Sequence, residues 1–299
     1  MSFTPSTLSR AALSACLLPG LVACGDAPGP PPAAAVPASM PEAIATRTDD
    51  AAHAAASPAT GLDGGAVRMF LVDQYGELAQ LAGDWPGAPV TGGLGTVAAS
   101  REVCARAAIG TPDAPAELVA VCGVPDGAGH VTSALTDFFL LRHDDTGAVS
   151  AAARQHMDRF GSSGDVGDVS VRRFGPRLHG FVVEDGFTGQ GITIGNTSLV
   201  LPDGDGFRVA ASLRSSLDNL GAMAGCAERD DCTPDAAFDL SFELAVDDRD
   251  ATAAAWPLRV RERGEACGRR VDRMHQVPFD VSAGTWTVPA RLQREEGCD

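Results

Sequence analysis

Strict alternation marks the clearest segment of this 299-residue chain. In FDLSFELAV, residues 238 to 246, the apolar side chains of Phe238, Leu240, Phe242, Leu244 and Val246 take every second position, with Asp239, Ser241 and Glu243 between them. A period of two puts the two sets on opposite faces of a strand. LRVRER, residues 258 to 263, is its complement, with Arg259, Arg261 and Arg263 on one face. The two runs are expected to pair or to share a sheet, carboxylates beside guanidiniums. Such cross-strand pairs contribute only about 0.2–1 kcal/mol each and act mainly on register.

The rest of the chain beyond residue 66 follows the same logic less cleanly. SALTDFFLLR, residues 133 to 142, is continuously apolar at its centre, as a strand covered on both faces must be. Asp144-Asp145-Thr146-Gly147 turns it into AVSAAARQHM. VSVRRF, FVVE, ITIGNTSLVL and FRVAASLRSSL follow, separated by glycine-rich turns. Turn signals at a spacing of roughly ten residues predict an all-β fold, mainly antiparallel sheet in a sandwich or barrel. One short N-terminal helix is expected in AVRMFLVDQYGELAQLAG, where Val67, Leu71, Tyr75 and Leu78 recur at helical spacing. Gly76 weakens it by about 1 kcal/mol relative to alanine. That helix should pack on the sheet edge or precede the first strand.

The N-terminal segment carries no such periodicity. From Gly25 to Gly65 proline and alanine dominate and aromatics are absent, so the segment cannot bury enough surface to offset its ordering entropy. It reads as a disordered tether spanning roughly 35 Å as a flexible coil, with His53 as a solvated residue inside it. Upstream, a polar stretch ending in Arg10 precedes AALSACLLPGLVA, residues 11 to 23. This apolar run falls short of the ~20 residues a spanning helix needs and has the proportions of a secretory leader.

The leader closes with Leu21-Val22-Ala23-Cys24, which resembles the lipobox of bacterial lipoproteins: aliphatic, small, small, cysteine. The resemblance implies that the Cys24 thiol receives a diacylglycerol, that cleavage removes residues 1–23, and that the new N-terminus is acylated. More than one acyl chain gives stable anchoring. In such lipoproteins an Asp directly after the cysteine retains the protein on the inner membrane. Gly25 stands there and Asp26 comes one place later, so the resemblance implies the outer membrane, with the protein facing the periplasm. Residues 24–65 are then the tether and 66–299 the folded part, with room for a subdomain break near 125–130 or 220–235.

Cysteine usage agrees with export. Apart from Cys16 and Cys24, six cysteines remain, an even number that outside the cytoplasm suggests disulfides. Cys104 and Cys122 lie symmetrically about the turn Thr111-Pro112-Asp113-Ala114-Pro115 and should face each other across a hairpin. Cys226 and Cys232 suit a local loop clasp, and pairing Cys267 with Cys298 would tie down the C-terminus. The spacings are not those of a zinc knuckle, and no histidine stands nearby.

Charge narrows the partners. With 39 acidic and 23 basic residues the formal charge is −16, and near −17 once the leader with Arg10 is removed. This argues against nucleic acid and against a basic patch on anionic lipid, and permits a cationic protein partner. All 23 basic residues are arginine. Without lysine there is no Schiff-base enzyme, no phosphate-binding Walker loop and no Ser-Lys dyad.

Catalytic signatures are likewise missing. Gly161-Ser162-Ser163-Gly164 lacks the spacing of a nucleophile elbow. No His-Glu-x-x-His pair occurs, and Phe207 occupies the third ligand position that a calcium loop starting at Asp203 would need. Gly189-Gln190-Gly191 is followed by a β-branched run rather than a helix, unlike a dinucleotide loop. No catalytic residue, metal or cofactor is therefore assigned. The candidate ligand-binding stretch is residues 179 to 196, which combines His179, Glu184, Asp185, Phe187, Gln190 and Asn196 with five glycines. Glu184 and Asp185, adjacent in sequence, point to opposite sides of a strand and so do not make one glycosidase dyad. The expected function is a non-enzymatic envelope lipoprotein that binds a partner or supports envelope assembly. The alternative is an inhibitor or sequestering partner of a cationic, lysozyme-like protein. A hydrolase would require histidines and carboxylates to converge in a polar pocket.

Overall fold

The apolar runs find their partners in two large antiparallel sheets. The computed structural model describes residues 59–92, 95–157, 159–226, 233 and 236–298. The expected leader, Cys24, the expected tether as far as residue 58, and Cys232 lie outside the described residues. Helix α1 (Gly64–Tyr75) comes first. Strands β1 (Trp85–Gly92), β2 (Gly95–Ala108), β3 (Ala116–Pro125), β4 (Leu135–His143) and β5 (Val149–Met157) form a five-stranded meander in that order. Strands β6 (Asp168–Arg173), β7 (His179–Gly189), β8 (Ile192–Asp203), β9 (Gly206–Asp218), β10 (Phe238–Val246), β11 (Leu258–Ala266) and β12 (Arg269–Val277) form a second, seven-stranded meander. The short pair β13 (Phe279–Asp280) and β14 (Thr285–Trp286) and a 3-10 turn at Ala290–Gln293 complete the chain.

Burial explains the two kinds of sequence pattern. Leu118, Ala120, Phe138 and Leu140 of the first sheet pack against Phe181, Val183, Val200 and Phe207 of the second. The alternate residues Val119, Val121, Phe139 and Leu141 pack beneath α1, against Val67, Phe70 and Leu71. Strands β3 and β4 are thus covered on both faces and read as unbroken apolar runs, as expected for SALTDFFLLR. In the second sheet, Val182, Leu199, Leu213 and Leu217 turn away from the first sheet and share a core with Leu240, Phe242, Leu258 and Val260. The C-terminal residues Trp286 and Leu292 cover that core. The opposite face of β10 to β12 carries Asp239, Glu243, Arg261 and Arg263, which is why alternation is clean there.

The expected pairing of FDLSFELAV with LRVRER is present, in the register Glu243 opposite Arg261 and Val246 opposite Leu258. The guanidiniums divide their attention. Arg263 donates diagonally to Glu243 at 3.0 Å, while Arg261 turns to Asp272 on β12 at 2.9 Å.

Helix α1 precedes the first strand, but it is shorter than its apolar spacing suggested. Asp63 caps its start by accepting from the Ala66 N–H at 2.9 Å. Gly76 adopts a φ of 95°, which ends the helix and leaves Leu78 63 % exposed rather than on the buried stripe. The helix packs on a sheet face rather than an edge.

Two disulfides brace the fold, Cys104–Cys122 and Cys267–Cys298. The first spans β2 and β3 where the register shifts between Val103 and Ala105, so Cys104 sits in an irregularity that re-aims its side chain. Cys226 is also disulfide-bonded, and its expected partner Cys232 falls outside the described residues.

Candidate functional site

Strand β7 separates the residues singled out in sequence. His179 begins the strand opposite Arg173, and Gln190 lies past its far end. At about 3.3 Å per residue these two stand more than 30 Å apart. His179 is partly buried, and burial together with the Arg173 guanidinium pushes its imidazole below the usual range. Gln190 and Gly191, with φ of 53° and 78°, form the two-residue turn between β7 and β8, a turn that requires positive φ at both positions. Glu184 is exposed beside Asp168 and Thr197. Phe187 is 38 % exposed and stacks on His130 with centroids 5.0 Å apart. Asp185 and Asn196 do meet: Asn196 donates to Asp185 at 3.1 Å, and the Gly161 N–H donates to Asp185 at 2.8 Å. Arg214 donates to the Asn196 carbonyl and to the Arg294 carbonyl oxygen, so this group joins β7, β8, β9 and the C-terminal segment.

The acidic stretches at Asp203 and at Asp247-Asp248-Arg249-Asp250 are turns as well. Asp203 and Gly206 pair across the β8–β9 hairpin, and Asp247 grips Arg249 in the β10–β11 connection. Among the described residues, no group of three or more histidine, cysteine, aspartate or glutamate side chains is arranged to hold a metal ion.

The constellation with most chemistry lies under the end of α1. Asp137 on β4 shares a sheet face with Phe139 and Leu141, so its carboxylate enters the layer beneath the helix. There its Oδ2 accepts from the Tyr75 hydroxyl at 2.7 Å and from Arg101 at 2.9 Å, and its Oδ1 accepts from His156 Nδ1 at 2.6 Å. Burial alone would raise the Asp137 carboxyl, but the hydrogen bonds from His156 and Tyr75 and the charge of Arg101 outweigh it and hold the group below the usual carboxylate range. Tyr75 moves the other way, raised by burial and by the neighbouring carboxylate, so it remains a neutral donor. Arg101 lies over the Tyr75 ring, 5.0 Å from its centroid. Its side chain passes so close to β1 and β3 that a Cβ at Gly87 would approach it to 2.8 Å and one at Gly123 to 3.2 Å.

A cavity of about 310 Å³ opens beside this group. Gln74 and Tyr75 come to it from α1, Asp137 and Phe139 from β4, and Arg154, Gln155 and His156 from β5. None of these residues stands out in the sequence as a site residue, and Tyr75 enters there only as part of the helical stripe. The signal available was Asp137 itself, a carboxylate at a core-facing position of an apolar run, since a charge buried there demands partners. No protein-family model matches the chain, and no curated protein or solved structure matches it either.

Proposed function

We propose that this is a lipid-anchored cell-envelope protein that acts by binding rather than by chemistry. The observation that carries the reading is the apolar leader ending in Leu21-Val22-Ala23-Cys24. Two disulfides in the folded part support an oxidising compartment. The charged groups at Asp137 and Asp185 support binding over catalysis because internal donors occupy their oxygens, and the cavity beside Asp137 offers a place for a ligand. Cys24 carries the lipid, the outer membrane is the site of anchoring, and the domain faces the periplasm. The formal charge of −16 favours a second reading, in which the protein sequesters a cationic partner such as a basic wall-degrading enzyme.

Metabolic labelling with a fatty-acid probe tests the anchor: the parent chain takes up label and Cys24→Ser does not. Label persisting on the variant refutes lipidation at this cysteine. Crosslinking in intact cells then separates the two readings, a basic protein among the captured partners favouring sequestration.

A further inference from the structure

The cavity beside Asp137 has a charge of its own, opposite to that of the chain. Among the described residues its one lining carboxylate is Asp137, already bonded by Tyr75, Arg101 and His156, so no described acid is left to meet a cation. Arg154 also lines the cavity, from a position directly opposite Phe139 across β4 and β5, and is exposed. Among the described residues its guanidinium takes part in no ion pair and no side-chain hydrogen bond. A second arginine, Arg101, backs the same wall and neutralises Asp137. The remaining lining includes the Gln74 amide, which supplies N–H donors, and the rings of Tyr75 and Phe139, which meet edge to face at 6.3 Å; the Gln155 amide already donates to the His156 carbonyl oxygen at 3.2 Å. A volume of 310 Å³ equals about ten waters at roughly 30 Å³ each, enough for a small organic molecule.

On the reading that the protein acts by binding, we infer that this pocket takes a small carboxylate-bearing molecule with an apolar body. The carboxylate sits on the planar fork of Arg154, which presents paired N–H groups matched to two carboxylate oxygens. The amide of Gln74 adds a hydrogen bond, and the apolar body lies against Tyr75 and Phe139. A cation is disfavoured because Arg154 would be left facing it with no free acid among the described lining residues to compensate. A neutral molecule of the same shape forfeits the charge-assisted bonds.

Calorimetric titration of the full chain, purified in detergent, with benzoate, benzamide and benzamidine tests the inference, since the three share a ring and differ in charge. Benzoate is expected to bind at least tenfold more tightly than benzamide, with no measurable binding of benzamidine. Arg154→Gln should bring benzoate down to the benzamide level, while Arg270→Gln, on the edge strand of the other sheet, should leave it unchanged. Equal binding of benzoate and benzamide, a preference for benzamidine, an unaltered Arg154→Gln variant, or no binding at all overturns it. Any of these leaves the anchored binding protein standing or falling on the labelling and crosslinking results alone.

Discussion

Glu262 shows how one residue can hold a chain end. It alternates with Leu258 and Val260 on the inward face of β11 and is completely buried. Arg294 donates to its Oε1 at 2.8 Å, and His275 and Arg291 meet its Oε2 at 2.8 and 3.2 Å. Burial would raise this carboxyl, but the three donors prevail and hold it at about 2, against an ordinary 4.5. A carboxyl depressed in the fold is protonated first in the unfolded chain, so its stabilisation is complete above about pH 4.5 and is lost as the pH falls toward 2. Denaturant midpoints measured across that window should fall accordingly. Glu262→Gln should cost about 3–5 kcal/mol at neutral pH, since it strands two guanidiniums, and should flatten the acid dependence. That Glu262 faces inward follows from a period of two. Its two arginine partners lie 29 and 32 positions further on, at a distance that local patterning does not reach.

At the scale of the element, α1 shows propensity giving way to backbone geometry. The apolar spacing runs through Leu78, yet the helix closes at Tyr75 because Gly76 adopts a left-handed φ of 95°. A Cβ there would meet nothing within 4 Å, so any penalty is purely conformational. Helix propensity and the observed backbone geometry predict opposite signs for an alanine at this position. If helix propensity ruled, Gly76→Ala would stabilise by about 0.8–1 kcal/mol. With φ fixed as observed, it should destabilise by about 1–2 kcal/mol, and thermal unfolding of the variant decides between them. The element boundary matters to the site, because the last helical residue is Tyr75, whose hydroxyl reaches Asp137. Strand order is simple: within each sheet every strand pairs with its sequence neighbour, across connections as tight as the two-residue turn between β7 and β8.

Across the whole molecule, the two disulfides act at different distances. Cys104–Cys122 closes a separation of 18 residues within one hairpin, whereas Cys267–Cys298 closes 31 and fastens the C-terminal segment over the second sheet. Loop-closure entropy puts each at about 3–4 kcal/mol, slightly more for the longer loop. The paired replacement Cys267→Ser with Cys298→Ser should lower stability by that amount in denaturant unfolding. Glu262 keeps a hold on Arg291 and Arg294, so the C-terminal segment should loosen without global collapse. Alternation, turn residues and cysteine spacing were enough to specify an antiparallel all-β fold, the β10–β11 pairing and the Cys104–Cys122 disulfide, because each depends on contacts between neighbours along the chain; Cys267–Cys298, 31 residues apart, follows only as the pair left over. Which strands are sandwiched and which face water was settled by the stacking of one sheet on part of the other. Extension along β7 disperses His179, Glu184 and Gln190 along and beyond one strand, whereas strand pairing in the first sheet, with α1 packed on its outer face, gathers Tyr75, Arg101, Asp137, Arg154 and His156 from four separate elements. A site assembled across a sheet face is invisible to periodicity, since its members share a location and no sequence interval.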